Sequence, residues 1–257
     1  MVNLSGDAFV QALQSETVTL LVGPAAEPII VSKALLRLKS DTLATLLSKP
    51  GLNQLELPGI GVDVSKTFVC WCYQDRLQEL PLKAPLPERK QIKELLIDLW
   101  LFADVYNIYR LQNQAMKHLI HLFATPSLLA EPDIAYIWSR GDGTSTAPLK
   151  DLAVCTLVAQ LEGPNATKTI ADFDELARKL PGFTAKVYKA LRFWMEFAVH
   201  GNTKKTVNKW HMMLQDEVVR KGLMVETKRV GSTGAGRVLP ERSAPVPFAP
   251  GEVIEID

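Results

Sequence analysis

The stretch Leu95–Phe123, LLIDLWLFADVYNIYRLQNQAMKHLIHLF, constrains the fold more than any other part of the chain. Its first half is apolar on every side: Leu95, Leu96, Ile97, Leu99, Trp100, Leu101, Phe102, Ala103 and Val105. A helix without a polar face must sit inside a domain. The run is too short to cross a bilayer, and Asp98 and Asp104 interrupt it. Beyond Asn107-Ile108-Tyr109 the pattern narrows to one stripe, with Leu111, Ala115, Leu119 and Phe123 at i, i+4, i+8 and i+12. Gln112, Asn113, Gln114 and Lys117 are expected to face away from it. A buried helix followed by a half-buried one is a core hairpin, an element for scaffolding or binding.

The 257 residues are enough for one large or two modest domains. A net charge of +1 supplies no field to steer the chain towards nucleic acid or an anionic membrane. Three cysteines cannot all pair, and Cys70 and Cys72 flank Trp71 in an apolar run, which suits small buried thiols in a reducing compartment. The N-terminal MVNLSGDAFVQALQSE has neither a basic n-region nor a long apolar core, so it does not read as a secretory signal. The expectation is an intracellular protein of the cytoplasm or nucleus with no membrane partner.

Along the chain, Asp7–Gln14 reads as a short amphipathic helix with Phe9, Val10 and Leu13 on one side. Thr17–Gly23 and Pro28–Val31 are β-rich runs around a Gly-Pro turn, a hairpin. Ser32–Leu38 and Asp41–Leu47 switch to helical spacing, the second with Ser40 or Asp41 as N-cap. Leu55–Leu57 is a short strand, and Asp63 is the expected cap of a helix over Val64–Tyr73. Pro81, Pro85 and Pro87 read as a surface loop. Strands early and helices late predict an α+β domain. After Pro126 the spacing predicts helices at Leu149–Leu161, Ala171–Leu180, Ala185–His200 and Lys204–Gly222. Val187, Ala190, Leu191, Trp194 and Ala198 form the stripe of the third. Gly231–Asp257, rich in Gly, Pro and Ser, shows no periodicity.

VTLLVG at Val18–Gly23, IIVSKALLRLKSDTL at Ile29–Leu43, LELPG at Leu55–Gly59, TFVCWCY at Thr67–Tyr73 and LWLFADVYNIYRLQNQAMKHL at Leu99–Leu119 together resemble a BTB/POZ domain. The pairs Leu36/Ser40, Leu57/Pro58, Trp71/Tyr73, Ala103/Asp104 and Leu111/Ala115 fill the family's places in order, and the wording from Ala103 to Ala115 is most similar to fungal BTB proteins. The resemblance implies a small three-stranded sheet flanked by helices over residues 1–125, with a helical continuation to about Trp194; spacing and composition extend this to an all-helical extension over 126–222 and a flexible tail over 223–257. It also implies a protein-interaction module that pairs with itself or another protein, without catalysis, cofactor, metal or small-molecule substrate. Two places depart from it. Thr17 and Ser32 stand where the family often carries Asp and His, groups that form a co-repressor pocket in BTB transcription factors. No zinc finger, kelch or ankyrin repeat is present.

The candidate interface is Phe9, Val10 and Leu13 before the first strand, where many BTB domains carry a dimer helix, with Leu43, Leu46 and Leu47 as a second patch. A BTB domain can also dock a cullin as a ubiquitin-ligase adaptor, and the apolar-x-acid triplet Ile92-Lys93-Glu94 has the form used for that. A third class is a metal or thiol enzyme. Cys70 and Cys72, at i and i+2, point about 200° apart on a helix, whereas His118 and His121, at i and i+3, share a side. Neither pair has a third ligand at metal spacing. Ser139–Thr144 has two glycines but lacks the Gly-Lys-Ser/Thr of a phosphate loop. Lys204, Lys205, Lys209, Arg220, Lys221, Lys228 and Arg229 make a basic stretch with Trp210 as its one aromatic. Solvated helix faces explain it better than nucleic-acid binding does.

Overall fold

The structure is a computed structural model that describes residues 6–57, 59–78, 85–123, 129–140, 147–162 and 169–200. The described residues are α+β: one three-stranded mixed sheet and many helices. Their contacts divide the chain into two units, with the boundary between Leu77 and Gln78. Among them no helix is long and apolar enough to cross a membrane.

The first unit opens with α1 (Gly6–Leu13), then β1 (Thr17–Val22) and β2 (Glu27–Ser32). β1 and β2 pair antiparallel, Thr17 opposite Ser32 and Val22 opposite Glu27. The reversal between them needs left-handed backbone at Gly23 (φ 68°) and Ala26 (φ 52°). In β1 the side chains of Val18, Leu20 and Val22 are buried and the intervening ones are not, the period-two signature of a half-covered strand. Two helices come next, α2 (Lys33–Lys39) and α3 (Asp41–Leu46). Each is capped by a serine: Ser32 Oγ accepts from Leu35 N at 3.1 Å, and Ser40 Oγ from Leu43 N at 3.0 Å. This helical crossover brings β3 (Gln54–Leu57) back parallel to β1, giving the order β2-β1-β3.

α4 (Val62–Gln74) completes the unit, burying Phe68, Trp71 and Cys72. It begins one residue before Asp63, with Gly61 at the cap position and no side-chain cap bond. The expected cap is therefore corrected: Asp63 sits in the first turn, where its charge suits the positive end of the helix. Asp75 ends α4 in left-handed backbone (φ 58°), and its carboxylate pairs with Lys39 at 2.7 Å.

The second unit begins with α5 (Leu86–Val105) and α6 (Tyr109–Phe123). Pro85 and Pro87 are part of the start of α5 and not of a loop as expected. The first turn of a helix has no partners for its N–H groups, so proline is tolerated there. Three bonds end α5. Tyr106 N donates to Phe102 O at 3.1 Å, Asn107 N to Asp104 O at 3.1 Å and Ile108 N to Ala103 O at 2.7 Å. The last two, with Asn107 at φ 53°, make a Schellman cap in which asparagine takes glycine's usual place. The hairpin of Leu95–Phe123 is thus built by its own Asn107-Ile108.

Leu111, Ala115, Leu119 and Phe123 are all buried, as their spacing predicts. Gln112 is not on the outward face: it is fully buried. Its Nε2 donates to Asp104 Oδ1 at 3.0 Å, and its Oε1 is buried without a partner. Asn113 and Gln114 are half-buried, and only Lys117 of that group is exposed.

α7 (Glu131–Ser139) and α8 (Ala147–Glu162) continue the chain. A short 3-10 turn (Ile170–Phe173) then leads into α9 (Asp174–Lys179), so the helix expected over Ala171–Leu180 is split. α10 (Phe183–His200) is the last described element. Lys204–Gly222 and the tail 223–257 lie outside the described residues.

Candidate functional site

α1 is attached to the sheet through hydroxyl groups. Ser32 Oγ donates to Ala12 O at 2.5 Å and lies 2.9 Å from Ser15 Oγ, which in turn accepts from Ala34 N at 3.3 Å. Ser15 Oγ also donates to Glu16 O at 3.3 Å, so each hydroxyl has a carbonyl to donate to and either can share its proton across the Ser15–Ser32 bond. One buried side chain, Ser32, therefore caps α2, holds the end of α1 and meets Ser15. Beside it Lys33 N donates to Glu16 O at 2.9 Å, and Lys33 Nζ meets the Glu16 carboxylate at 3.0 Å. That hydrogen bond and the charge of Lys33 hold the Glu16 carboxyl below its ordinary pKa.

Docked in this way, α1 buries Ala12 and leaves Val10 49% and Leu13 45% exposed. Phe9 lies on the same helix, its side chain outside those described. Three further large apolar side chains of the first unit are exposed among the described residues: Ile30 on β2, an edge strand, Leu38 at the end of α2, and Tyr73 on α4.

The second candidate patch has a different environment. Leu43 and Leu47 are 2% and 1% exposed, so this chain already fills their surroundings, and Leu46 is half-buried. Ile92, the apolar member of the Ile92-Lys93-Glu94 triplet, is buried in its own unit, and Glu94 is exposed. Lys93 between them is buried as well, its Nζ 2.7 Å from the carboxylate of Asp133 on α7.

Cys72 is buried and Cys70 exposed, so the pair points apart as a helix requires and the expected burial of Cys70 is corrected. Burial pushes the Cys72 thiol far up, away from nucleophilic use. His118 is half-buried, and burial, with a smaller contribution from His121, lowers its pKa. Among the described residues no three His, Cys, Asp or Glu side chains stand together as a metal would need. Most of the Gly-containing loop, 141–146, and the basic stretch from Lys204 to Arg229 lie outside the described residues.

One polar cluster was not legible in sequence. Tyr136 OH donates to Asp98 Oδ1, and the Arg140 guanidinium donates to Tyr136 OH at 3.0 Å while lying 4.8 Å from its ring centre. Burial raises the pKa of Asp98, against the opposing pull of the Tyr136 bond, and pushes Tyr136 up to about 12. Asp98, read only as an interruption of an apolar run, is the anchor that ties α5 to α7. The signal lay in α7, whose nine residues with Pro132 in the first turn escaped a periodicity reading.

No family model matches the chain, and no curated protein matches it.

Proposed function

We propose that this chain is a non-catalytic BTB/POZ-type interaction module that pairs with a second copy of itself through the exposed side of α1. The observation that carries the reading is the pairing of fixity with exposure. Ala12 and the Ser32 hydroxyl hold α1 in place, while Val10 and Leu13 are left half in water. A helix fixed to its own domain yet presenting branched apolar side chains is ready to meet a partner without an ordering cost. The element order of the first unit, helix, hairpin, two capped helices, parallel strand and helix, supports the family reading, as do the motifs from Val18 to Leu119.

Magnitudes limit the strength of such a pair. Covering a half-exposed Val or Leu contributes roughly 1 kcal/mol, so two copies of Val10 and Leu13 supply about 4 kcal/mol. That is comparable to the lower estimates of the association cost, so the dimer needs additional surface or is weak. Leu38, Ile30 and Tyr73 are the other exposed large apolar side chains of this unit among the described residues that could add to it. Val10→Asp/Leu13→Asp, which puts charge into the interface and leaves Ala12 and Ser32 untouched, is expected to leave only monomer. The cullin-adaptor reading retains Glu94 alone, because Ile92 is occupied inside its own unit.

A further inference from the structure

The sheet of the first unit has one covered side and, among the described residues, one open side. Val18, Leu20, Val22 and Val31 are buried on the covered side. Glu27, opposite Val22 in the ladder, pairs with Lys66 of α4 at 2.9 Å, so α4 and its Tyr73 belong to that side. On the other side Thr17, Pro28 and Ile30 are exposed, and Thr19 and Leu21 are half-buried. Ile30 is 68% exposed, more than any other large apolar side chain described in this unit.

Ser32 follows Ile30 by two positions on β2, so the two side chains leave the same side of the strand, with Cα atoms about 7 Å apart. From that side the Ser32 hydroxyl reaches the Ala12 carbonyl of α1. Ile30 and the exposed Val10 and Leu13 of α1 therefore stand on one side of the unit. Neither surface holds a charge that burial would strand. The exposed members of α1 from Val10 onward are Val10, Gln11 and Leu13, and the open side of β1 and β2 is built of Thr, Leu, Pro and Ile. Val10 and Leu13 alone no more than match the lower estimates of the association cost, so a stable pair needs further apolar cover. The chain's own α1, fixed at Ala12, leaves Ile30 in water, whereas the α1 of a second copy can lie over it.

We infer that Ile30 is the seat for the partner's α1: in the pair, each chain lays the Val10–Leu13 side of α1 across the open side of the other's β2. This deepens the α1 pairing proposed above and rests on it. Two measurements on the full chain test it. In light scattering over a range of concentrations, Ile30→Asp should raise the dimer Kd by about tenfold or more, and Ile30→Thr, which keeps a strand-forming residue, by less. The thermal midpoint of both variants, taken at a concentration where the chain is single, should match the wild type, because the side chain is exposed. In the second measurement Cys70, the exposed native thiol, is replaced by serine. Ile30→Cys chains are mixed with Val10→Cys or Leu13→Cys chains, oxidised mildly, and the linked peptides identified by mass. The expected product joins position 30 of one chain to position 10 or 13 of the other. Links confined to α1 with α1, or a dimer unmoved by Ile30→Asp, overturn the inference and leave the α1 reading standing. A wild type that forms no links in the cysteine variants and keeps the single-chain mass at every concentration overturns both.

Discussion

The hydroxyl of Ser32 donates to the carbonyl of Ala12 across twenty residues of sequence and at the same time accepts from the Leu35 amide. One buried oxygen thus does two jobs, closing α2 and seating α1. Ser32→Ala should remove both and leave the Ala12 carbonyl without its donor, at a cost of about 2–3 kcal/mol. Ser40→Ala removes the cap of α3 and should cost about 1 kcal/mol. Urea midpoints of the two variants give the comparison. Equal losses would mean that the Ala12 bond contributes nothing to holding α1.

Lys93 and Asp133 are a buried pair, with side chains 4% and 11% exposed. Asp133 also accepts from the Ala130 amide at 2.7 Å, so the same carboxylate caps α7 and binds α5. Removing one partner strands a buried charge, and Asp133→Ala should cost about 3–5 kcal/mol. Lys93→Met combined with Asp133→Asn removes both charges and keeps an acceptor for Ala130, and it should recover most of that loss. A double-mutant cycle by chemical denaturation measures the coupling.

Asp98 sets a pH dependence. Its folded pKa is raised, so between the ordinary carboxylate value and the folded one the native chain holds a proton that the unfolded chain has released. The contribution of Asp98 to stability is therefore greatest below that window and falls as pH rises through it. Asp98→Asn keeps an acceptor for Tyr136 without the charge, and the fall in the urea midpoint across the window should shrink. An unchanged profile would place the dependence on another group.

Gln112 tests the interior of the α5–α6 hairpin. Gln112→Glu places a second carboxylate beside Asp104 in a fully buried position, and should cost at least about 2 kcal/mol. Lys117→Glu, on the exposed side of the same helix, should stay within about 0.5 kcal/mol. Thermal melts of the two variants decide the matter.

Residue by residue, the features legible in sequence were those that local chemistry determines. The stripe Leu111/Ala115/Leu119/Phe123, the hairpin at Gly23 and the Ser40 cap of α3 arise from spacing, backbone freedom and a side-chain acceptor. The features that escaped it depended on distant partners. Gln112 looked outward because it is polar, and only the position of Asp104 across the hairpin offsets the cost of its burial. Pro87 looked like a breaker, although at a helix start the donor it lacks is not needed. Leu43, Leu47 and Ile92 had the look of binding residues, yet an apolar side chain carries no mark of whether its own chain or a partner covers it. Val10 and Leu13, held out by the Ala12–Ser32 attachment, are the apolar candidates exposed among the described residues.

The most direct test is absolute mass by light scattering after size exclusion, over a wide concentration range. The wild type, Val10→Asp/Leu13→Asp and, as a control on the second unit, Tyr188→Asp are compared. A wild-type mass that rises towards twice 28.5 kDa with concentration is expected, with the same rise in Tyr188→Asp and a single-chain mass throughout in Val10→Asp/Leu13→Asp. A wild type that stays at the single-chain mass at every concentration, or a dimer unaffected by the α1 changes, would contradict the pairing through α1.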